Sequence, residues 1–173
     1  IPQEATKRGY DILSNNGRVI ETIPPAPTEE EIAAREAEKQ RQKELAEQRE
    51  QDRALLKRFS HPDQAAKAMH RKIRELEGLI QLKRGNISVI SSQLDNEQSR
   101  AANMERAGRE IPEGTLEKIR RLEAQIRDIE REIASQTQEI DELRKAFEDD
   151  IERLEEVTGE ARTLPLDHTK TDN

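Results

Sequence analysis

The stretch Ile119-Arg-Arg-Leu122-Glu-Ala-Gln-Ile126-Arg-Asp-Ile129 decides the fold, because apolar residues recur in it at alternating spacings of three and four. The same alternation runs through residues 64–157, in two arms. Such spacing marks the a and d positions of a heptad repeat, which form the apolar seam between paired helices. The predicted seam consists of Ile73, Leu76, Ile80, Ile87, Ile90, Leu94, Ile119, Leu122, Ile126, Ile129, Ile133, Ile140, Leu143, Phe147 and Leu154.

The two arms are separated by a short glycine-containing loop at 108–114, which makes them antiparallel neighbours. We therefore expect a mainly α protein whose main feature is a long antiparallel two-helix coiled-coil hairpin over residues 60–158. Facing a positions against d positions requires paired residue numbers to sum to 216 or 223. The loop centre near residue 111 favours 223. In either case Asp150 is a polar seam position where the packing is expected to loosen.

Residues 1–27 have a different pattern, which predicts a β-hairpin followed by a Pro-rich linker. Two short alternating segments contribute Tyr10, Ile12 and Val19, and between them lies Asn16-Gly17. Asn-Gly supplies the two positive φ angles of a tight type I′ turn. A lone two-stranded hairpin is marginal in water. We therefore expect it to be part of a small β unit with further strands upstream of Ile1, or to dock on a partner.

A charged helix is expected at 28–59, and a disordered tail at 159–173. Thr28-Glu-Glu-Glu31 forms a capping box at the start of the helix. The helix has no continuous apolar stripe, so it should be solvated or partly disordered. Only its end is apolar, and we expect that end to pack at the open end of the hairpin, near Ile151 and Leu154. The residues concerned are Leu55, Leu56 and Phe59.

A second, weaker apolar row is the candidate protein-contact surface. Leu79, Leu82 and Val89 lie outside the seam at spacings of three and seven, and Ile151 on the other arm accompanies them. Single exposed apolar residues are normal on protein surfaces. Three branched side chains at helical spacing exceed such scatter, which favours a contact surface for a second hairpin, for the 28–59 helix or for a partner.

Composition narrows the function classes. The net charge is −7, 39% of residues are charged and 2% are aromatic. The lack of a basic face argues against nucleic acid as a partner. Without cysteine, no thiolate zinc site or cysteine nucleophile is possible. No apolar run is long enough for a transmembrane helix. The histidines, His61, His70 and His168, are expected to be structural and solvent-facing, because zinc needs three or four convergent donors.

No catalytic motif, cofactor-binding motif or metal site is recognised in the chain, which predicts a protein that is not an enzyme. The runs at 8–20, 23–32, 55–60, 84–88 and 100–112 resemble a group of exported proteobacterial proteins, in which a short β-rich domain of unknown function precedes a charged helix and a coiled coil. The resemblance covers most of residues 8–157. It implies a periplasmic or cell-envelope location, with the cytoplasm as the alternative.

Two functions remain open at this point. The first is a structural or adaptor protein of the bacterial cell envelope, in which the rigid hairpin forms a homodimer or contacts another protein. The second is a ligand-binding module, in which the β unit binds an envelope component or a secreted protein and the coiled coil is a spacer.

Overall fold

The structure is a computed structural model, and it describes residues 3–167. The predicted fold class is confirmed, since the chain is mainly helical, with a two-stranded antiparallel hairpin near the N-terminus and two long helices packed on each other. The chain divides into two compact units, Ile1–Arg53 and Ala54–Asn173, and each is described by itself. The elements are α1 (Gln3–Arg8), β1 (Tyr10–Leu13), β2 (Val19–Ile23), α2 (Glu29–Arg58), α3 (Pro62–Arg106) and α4 (Glu113–Thr158).

The β-hairpin forms where it is predicted, but its turn is of another type. The backbone N–H of Gly17 donates to the carbonyl oxygen of Ser14 at 2.9 Å, and Gly17 has a φ of 74°. Asn16 lacks the positive φ that a type I′ turn requires. This is the pattern of a type I turn followed by a left-handed glycine, which confines the left-handed conformation to glycine. Ile20 is an extra residue on β2 and forms a bulge.

The helix α1 is not predicted by the sequence analysis. It ends at Gly9, whose φ is 75°, and a Cβ atom there would lie 2.7 Å from the carbonyl oxygen of Ile23. The carbonyl oxygen of Thr6 accepts a hydrogen bond from the backbone N–H of Ala26 at 2.8 Å. The segment after β2 therefore returns to α1. Lys7 and Arg8 just before a glycine are the C-terminal signal that could have revealed this helix.

The helix α2 begins at the predicted capping box. Thr28 Oγ1 accepts from the N–H of Glu31, and the Glu31 carboxylate accepts from the N–H of Thr28, both at 3.2 Å. The helix is solvated over nearly its whole length, and Leu55 is its buried residue. Side-chain pairs one turn apart, such as Gln48 with Asp52 at 2.9 Å, support such an exposed helix.

The residues next to α3 and α4 explain where these two helices begin and end. His61 caps α3, since its Nδ1 accepts from the N–H of Asp63 at 3.0 Å. At the other end Gly108 adopts the left-handed conformation, with a φ of 73°. The next helix starts directly after Pro112, which supplies no N–H and cannot continue an incoming helix. The loop between the two long helices is therefore short, as the antiparallel arrangement requires.

Every predicted seam residue is buried or half-buried between α3 and α4. Burial is strongest at the open end of the hairpin, which we call the base, and weaker in its middle, while Ala101 and Leu122 nearer the loop are again buried. Ile87, Ile90 and Leu94 are only half-buried, because two paired helices cover each other on one side alone. At the base a third layer completes the cover. The side chains there with 0–2% exposure are Pro62, Ala65, Ala66, Met69, Ile73, Ile151 and Leu154.

The end of α2 supplies part of that layer, as the sequence predicts. Leu55 is buried, and the ring of Phe59 lies 6.3 Å from that of Phe147 in a tilted arrangement. Leu56 is the exception, since it is 41% exposed. The seam does not loosen at Asp150, contrary to expectation. Arg58 Nη1 lies 3.7 Å from the Asp150 carboxylate and balances its negative charge. The neighbouring apolar side chains of α4 remain buried.

The ion pairs made by the polar seam residues indicate which register the two arms adopt. Lys83 Nζ lies 3.1 Å from the Glu132 carboxylate, and Lys118 Nζ lies 2.8 Å from that of Glu97. In the predicted register, with sums of 223, Lys83 would be level with Ile140, eight residues or about 12 Å along the axis from Glu132. The two pairs therefore favour sums of 216 over 223. The loop centre is a poor guide to the register. A few more loop residues on one side than on the other change the sum of paired residue numbers by seven, which is a whole heptad.

Two further expectations are corrected at the base. His70 is 3% exposed and thus buried rather than solvent-facing. The tail is not disordered over its described part, because Leu164 and Leu166 pack against the core of the base. A short polar sequence around Pro165 gives no periodic signal of such packing. His168 and the end of the predicted tail, 168–173, lie outside the described residues.

Replacing Ile73 with alanine should lower the free energy of unfolding by about 2–5 kcal/mol, because Ile73 is fully buried and the change leaves a cavity in the base. Arg74→Ala is the matched control on the same helix, since Arg74 is exposed. Its effect should stay within about 0.5 kcal/mol. Urea unfolding followed by circular dichroism measures both. Equal effects of the two substitutions would contradict this account of the core.

Candidate interaction surfaces

The outer row of α3, defined as Leu79, Leu82 and Val89, is exposed as predicted, with exposures of 43%, 68% and 60%. Ile151 does not belong to this surface. It is 2% exposed and lies in the core of the base. Heptad position alone cannot show this, because Ile151 is covered by residues from beyond the two arms. The candidate contact surface therefore lies on α3.

A shallow groove between α3 and α4 adjoins the outer row through Leu79. Its apolar lining is Leu76, Leu79 and Leu143, and its charged rim is Lys72, Glu75 and Glu139. A groove on the opposite side of the hairpin, next to Ile80 and Ile140, has a more polar rim of Glu77, Gln81, Arg84, Thr137 and Asp141. The two grooves expose polar and apolar surface in similar proportion, so the outer row itself distinguishes the two sides of the hairpin.

Two glycines flank the outer row on the outward face of α3. A Cβ atom added at Gly78 or Gly85 would meet nothing within 4 Å. Nothing inside the hairpin therefore requires glycine there, although each glycine costs about 1 kcal/mol in a helix relative to alanine. The absence of side chains leaves space beside Leu79 and Leu82 for another helix to approach.

The second apolar surface is on the β-hairpin. Leu13, which pairs with Val19, and the bulged Ile20 are 57% and 67% exposed, and Val19 is 55% exposed. Tyr10 is half-buried and Ile12 is 39% exposed. The predicted hairpin residues thus lie on one small sheet, but the sequence analysis leaves out Leu13 and Ile20. Leu13, Val19 and Ile20 all lie at the turn end of the sheet.

A polar constellation joins the tail to the start of α3. The Asp63 carboxylate accepts hydrogen bonds from the backbone N–H groups of Thr163 at 2.7 Å and Leu164 at 3.0 Å, and from the Thr163 hydroxyl at 2.5 Å. His61 Nε2 lies 3.1 Å from the Glu160 carboxylate. The hydroxyl of Thr163, followed by the two backbone N–H groups, lowers the pKa of Asp63 to about 2, against the opposing effect of burial.

The seam carries one further perturbed group. Glu97 is 7% exposed, and the hydrogen bond from Lys118 lowers the pKa of its carboxyl group, with Arg100 contributing less. Lys118 is itself nearly half exposed, so the ion pair connects the seam to solvent. These contacts satisfy a charge in the seam and form no cleft. Glu97 is therefore a structural residue of the hairpin.

Within 3–167, no group of three or more histidine, aspartate or glutamate side chains is placed to hold a metal ion. No helix in the described part of the chain is long and apolar enough to cross a membrane. The surfaces that remain for interpretation are the outer row, the sheet and the tail contact.

Asp63→Asn should destabilise the base at pH 6, because the neutral amide accepts the three tail hydrogen bonds less strongly. The contribution of Asp63 is fully present above its ordinary pKa of 3.8. This contribution is lost between about pH 4 and pH 2, because over this range Asp63 takes up a proton in the unfolded chain while its carboxylate in the folded chain stays ionised. The difference in urea midpoint between the native chain and Asp63→Asn should therefore shrink towards pH 2.

Asp128→Asn is the control for this comparison, since Asp128 is an exposed aspartate on α4 with one surface ion pair. Its midpoint should stay close to that of the native chain throughout. A native-to-Asp63→Asn difference that is the same at pH 6 and pH 2 would show that the carboxylate charge plays no part in holding the tail.

Comparisons with known proteins identified no relative of this chain. No protein-family model matches the chain, and no curated protein or solved structure matches it. The resemblance of residues 8–157 to exported proteobacterial coiled-coil proteins therefore stays a prediction. The function has to be argued from the chain's own surfaces.

Proposed function

We propose that the protein is a non-enzymatic structural or adaptor protein whose coiled-coil hairpin makes a protein–protein contact through the outer row. The observation that carries the proposal is the exposure of Leu79, Leu82 and Val89 on a long, paired helix. Rigid helices hold side chains at fixed spacing, so the three side chains lie along one side of α3, with Gly85 and Asn86 between Leu82 and Val89.

The surroundings of the row support a helix as the contacting element. Gly78 and Gly85 leave open space beside the leucines, and the groove at Leu76 and Leu143 continues the apolar surface. An apolar centre with a charged rim, here Lys72, Glu75 and Glu139, is the usual composition of a protein interface. A helix of a second molecule could lie along α3 and place its own apolar side chains between those of the outer row.

A second copy of the chain is the first partner to test. A two-fold homodimer buries the same surface on both subunits, so one apolar row serves both sides of the interface. Contact with a different protein through the same row is the other form of this proposal. The resemblance to exported proteins supports a cell-envelope location, with the cytoplasm as the alternative, and fractionation of expressing cells distinguishes them.

The exposed sheet favours a second candidate function. Leu13, Val19 and Ile20 form an apolar end on a two-stranded hairpin, which is a small sheet with two open edges. Open edges and exposed apolar side chains are what a strand-adding ligand uses. In this reading the sheet binds an envelope component or a secreted protein, and the coiled coil is a spacer.

Light scattering on a sizing column tests the main proposal. The native chain should be a dimer, and Leu79→Gln/Leu82→Gln/Val89→Gln should weaken association at least tenfold with unchanged helicity, because all three side chains are exposed. The matched control is Ile32→Gln/Leu45→Gln/Leu56→Gln, which removes three similarly exposed apolar side chains from α2. It should leave the dimer intact.

A native chain that stays monomeric would argue against self-association, and dissociation by the α2 control would argue against the outer row. Capture of a partner protein then separates the two functions. Loss of the partner with Tyr10→Ala/Val19→Ala alone supports the ligand-binding sheet. Loss with Leu79→Gln/Leu82→Gln alone supports the adaptor hairpin.

A further inference from the structure

The tail contact is the most specific long-range interaction of the Ala54–Asn173 unit. After α4, the chain reverses at Gly159, whose φ is 69°, and passes over the base. Thr163 and Leu164 then meet Asp63, which is 100 residues earlier in the sequence. Secondary structure does not impose this contact, because the segment after Gly159 is neither helix nor strand. It forms by recognition between side chains and backbone groups.

The polar half of the contact resembles the way a protein binds a peptide. One carboxylate, on Asp63, accepts from two consecutive backbone N–H groups and from the hydroxyl between them. Such an arrangement requires a residue with a hydroxyl group at the Thr163 position and a fixed backbone direction. The backbone N–H of Arg162 adds a hydrogen bond to the Glu155 carboxylate at 3.2 Å. Backbone donors therefore provide much of the recognition.

The apolar half is formed by Leu164 and Leu166, on either side of Pro165. Both leucines pack against the core of the base, which contains Leu55 and Leu154, and both remain half-buried. Proline restricts the backbone between the leucines and so reduces the entropy lost on docking. The base therefore presents a carboxylate and an adjoining apolar surface at a spacing that matches Thr-Leu-Pro-Leu.

We propose that the base of the hairpin is a peptide-binding site, that residues 163–166 occupy it within the same chain, and that a partner protein with a segment of the same chemistry can take their place. The partner segment is a hydroxyl residue followed by two leucines around a proline. The tail then acts as a strap that keeps the site closed until a competitor displaces it.

The strap is suited to exchange because Thr163 is exposed and Leu164 and Leu166 are only half-buried. Segments of this kind open locally at a small fraction of the free energy of global unfolding. Its attachment through Gly159–Arg162 is short, so its effective concentration at the site is in the range of about millimolar. A free ligand binds the closed site weakly for that reason and binds the opened site directly.

The test uses the full chain with the strap disabled by Thr163→Val/Leu164→Ser/Leu166→Ser. The probe is a fluorescein-labelled peptide with the sequence of residues 159–167, and its anisotropy reports binding. The strap-disabled chain should bind the probe at least tenfold more tightly than the native chain does. Adding Asp63→Asn to it should weaken binding at least tenfold, whereas adding Asp128→Asn, on the exposed face of α4, should not.

A peptide carrying the Thr163→Val change should also bind at least tenfold more weakly. The proposal is overturned if the strap-disabled chain keeps its helicity and binds no peptide, if the native chain binds equally well, or if Asp63→Asn has no effect. If helicity is lost, the milder Leu166→Ser variant is held to the same criteria. A native dimer that the strap-disabling changes dissociate would assign the site to tails exchanged between two copies and would also overturn it.

Discussion

Burial of the heptad seam between α3 and α4 is the interaction on which the rest of the larger unit depends. With few aromatic residues and many charged ones, the chain cannot form a wide core, and a narrow seam is the arrangement that its branched apolar residues allow. Isolated helices are marginal in water, so each arm relies on the other for its stability. The base and the outer row can exist only because the hairpin holds α3 in place.

The seam is not uniform along its length, and the difference matters for function. Towards the loop, two helices leave Ile87 and Ile90 half-buried, and the ion pairs of Lys83 and Glu97 lie in this part. At the base, the end of α2 and the tail complete the cover, and Ile73 and Leu154 become fully buried. The most deeply buried part of the hairpin is therefore also the part against which Leu164 and Leu166 pack.

Local signals were sufficient for the long helices and insufficient for the sites. The heptad spacing and the capping box at Thr28 predicted α2, α3 and α4, because both depend on neighbours in sequence, whereas the short helix α1 was missed. The register, the burial of Ile151 and the docking of Leu164 depend on residues up to a hundred positions apart. The predicted type I′ turn at Asn16 was wrong for another reason, since Asn-Gly also suits a type I turn followed by a left-handed glycine.

The most direct test of the account is a distance between spin labels at Lys67→Cys on α3 and Glu152→Cys on α4. The chain contains no cysteine, so the two labels are unambiguous, and both positions are exposed. Packed antiparallel arms predict a narrow component at about 20–30 Å, set by helix spacing and label length, which remains when dilution with unlabelled chain removes distances between molecules. Loss of that component in the diluted sample would contradict an intramolecular hairpin.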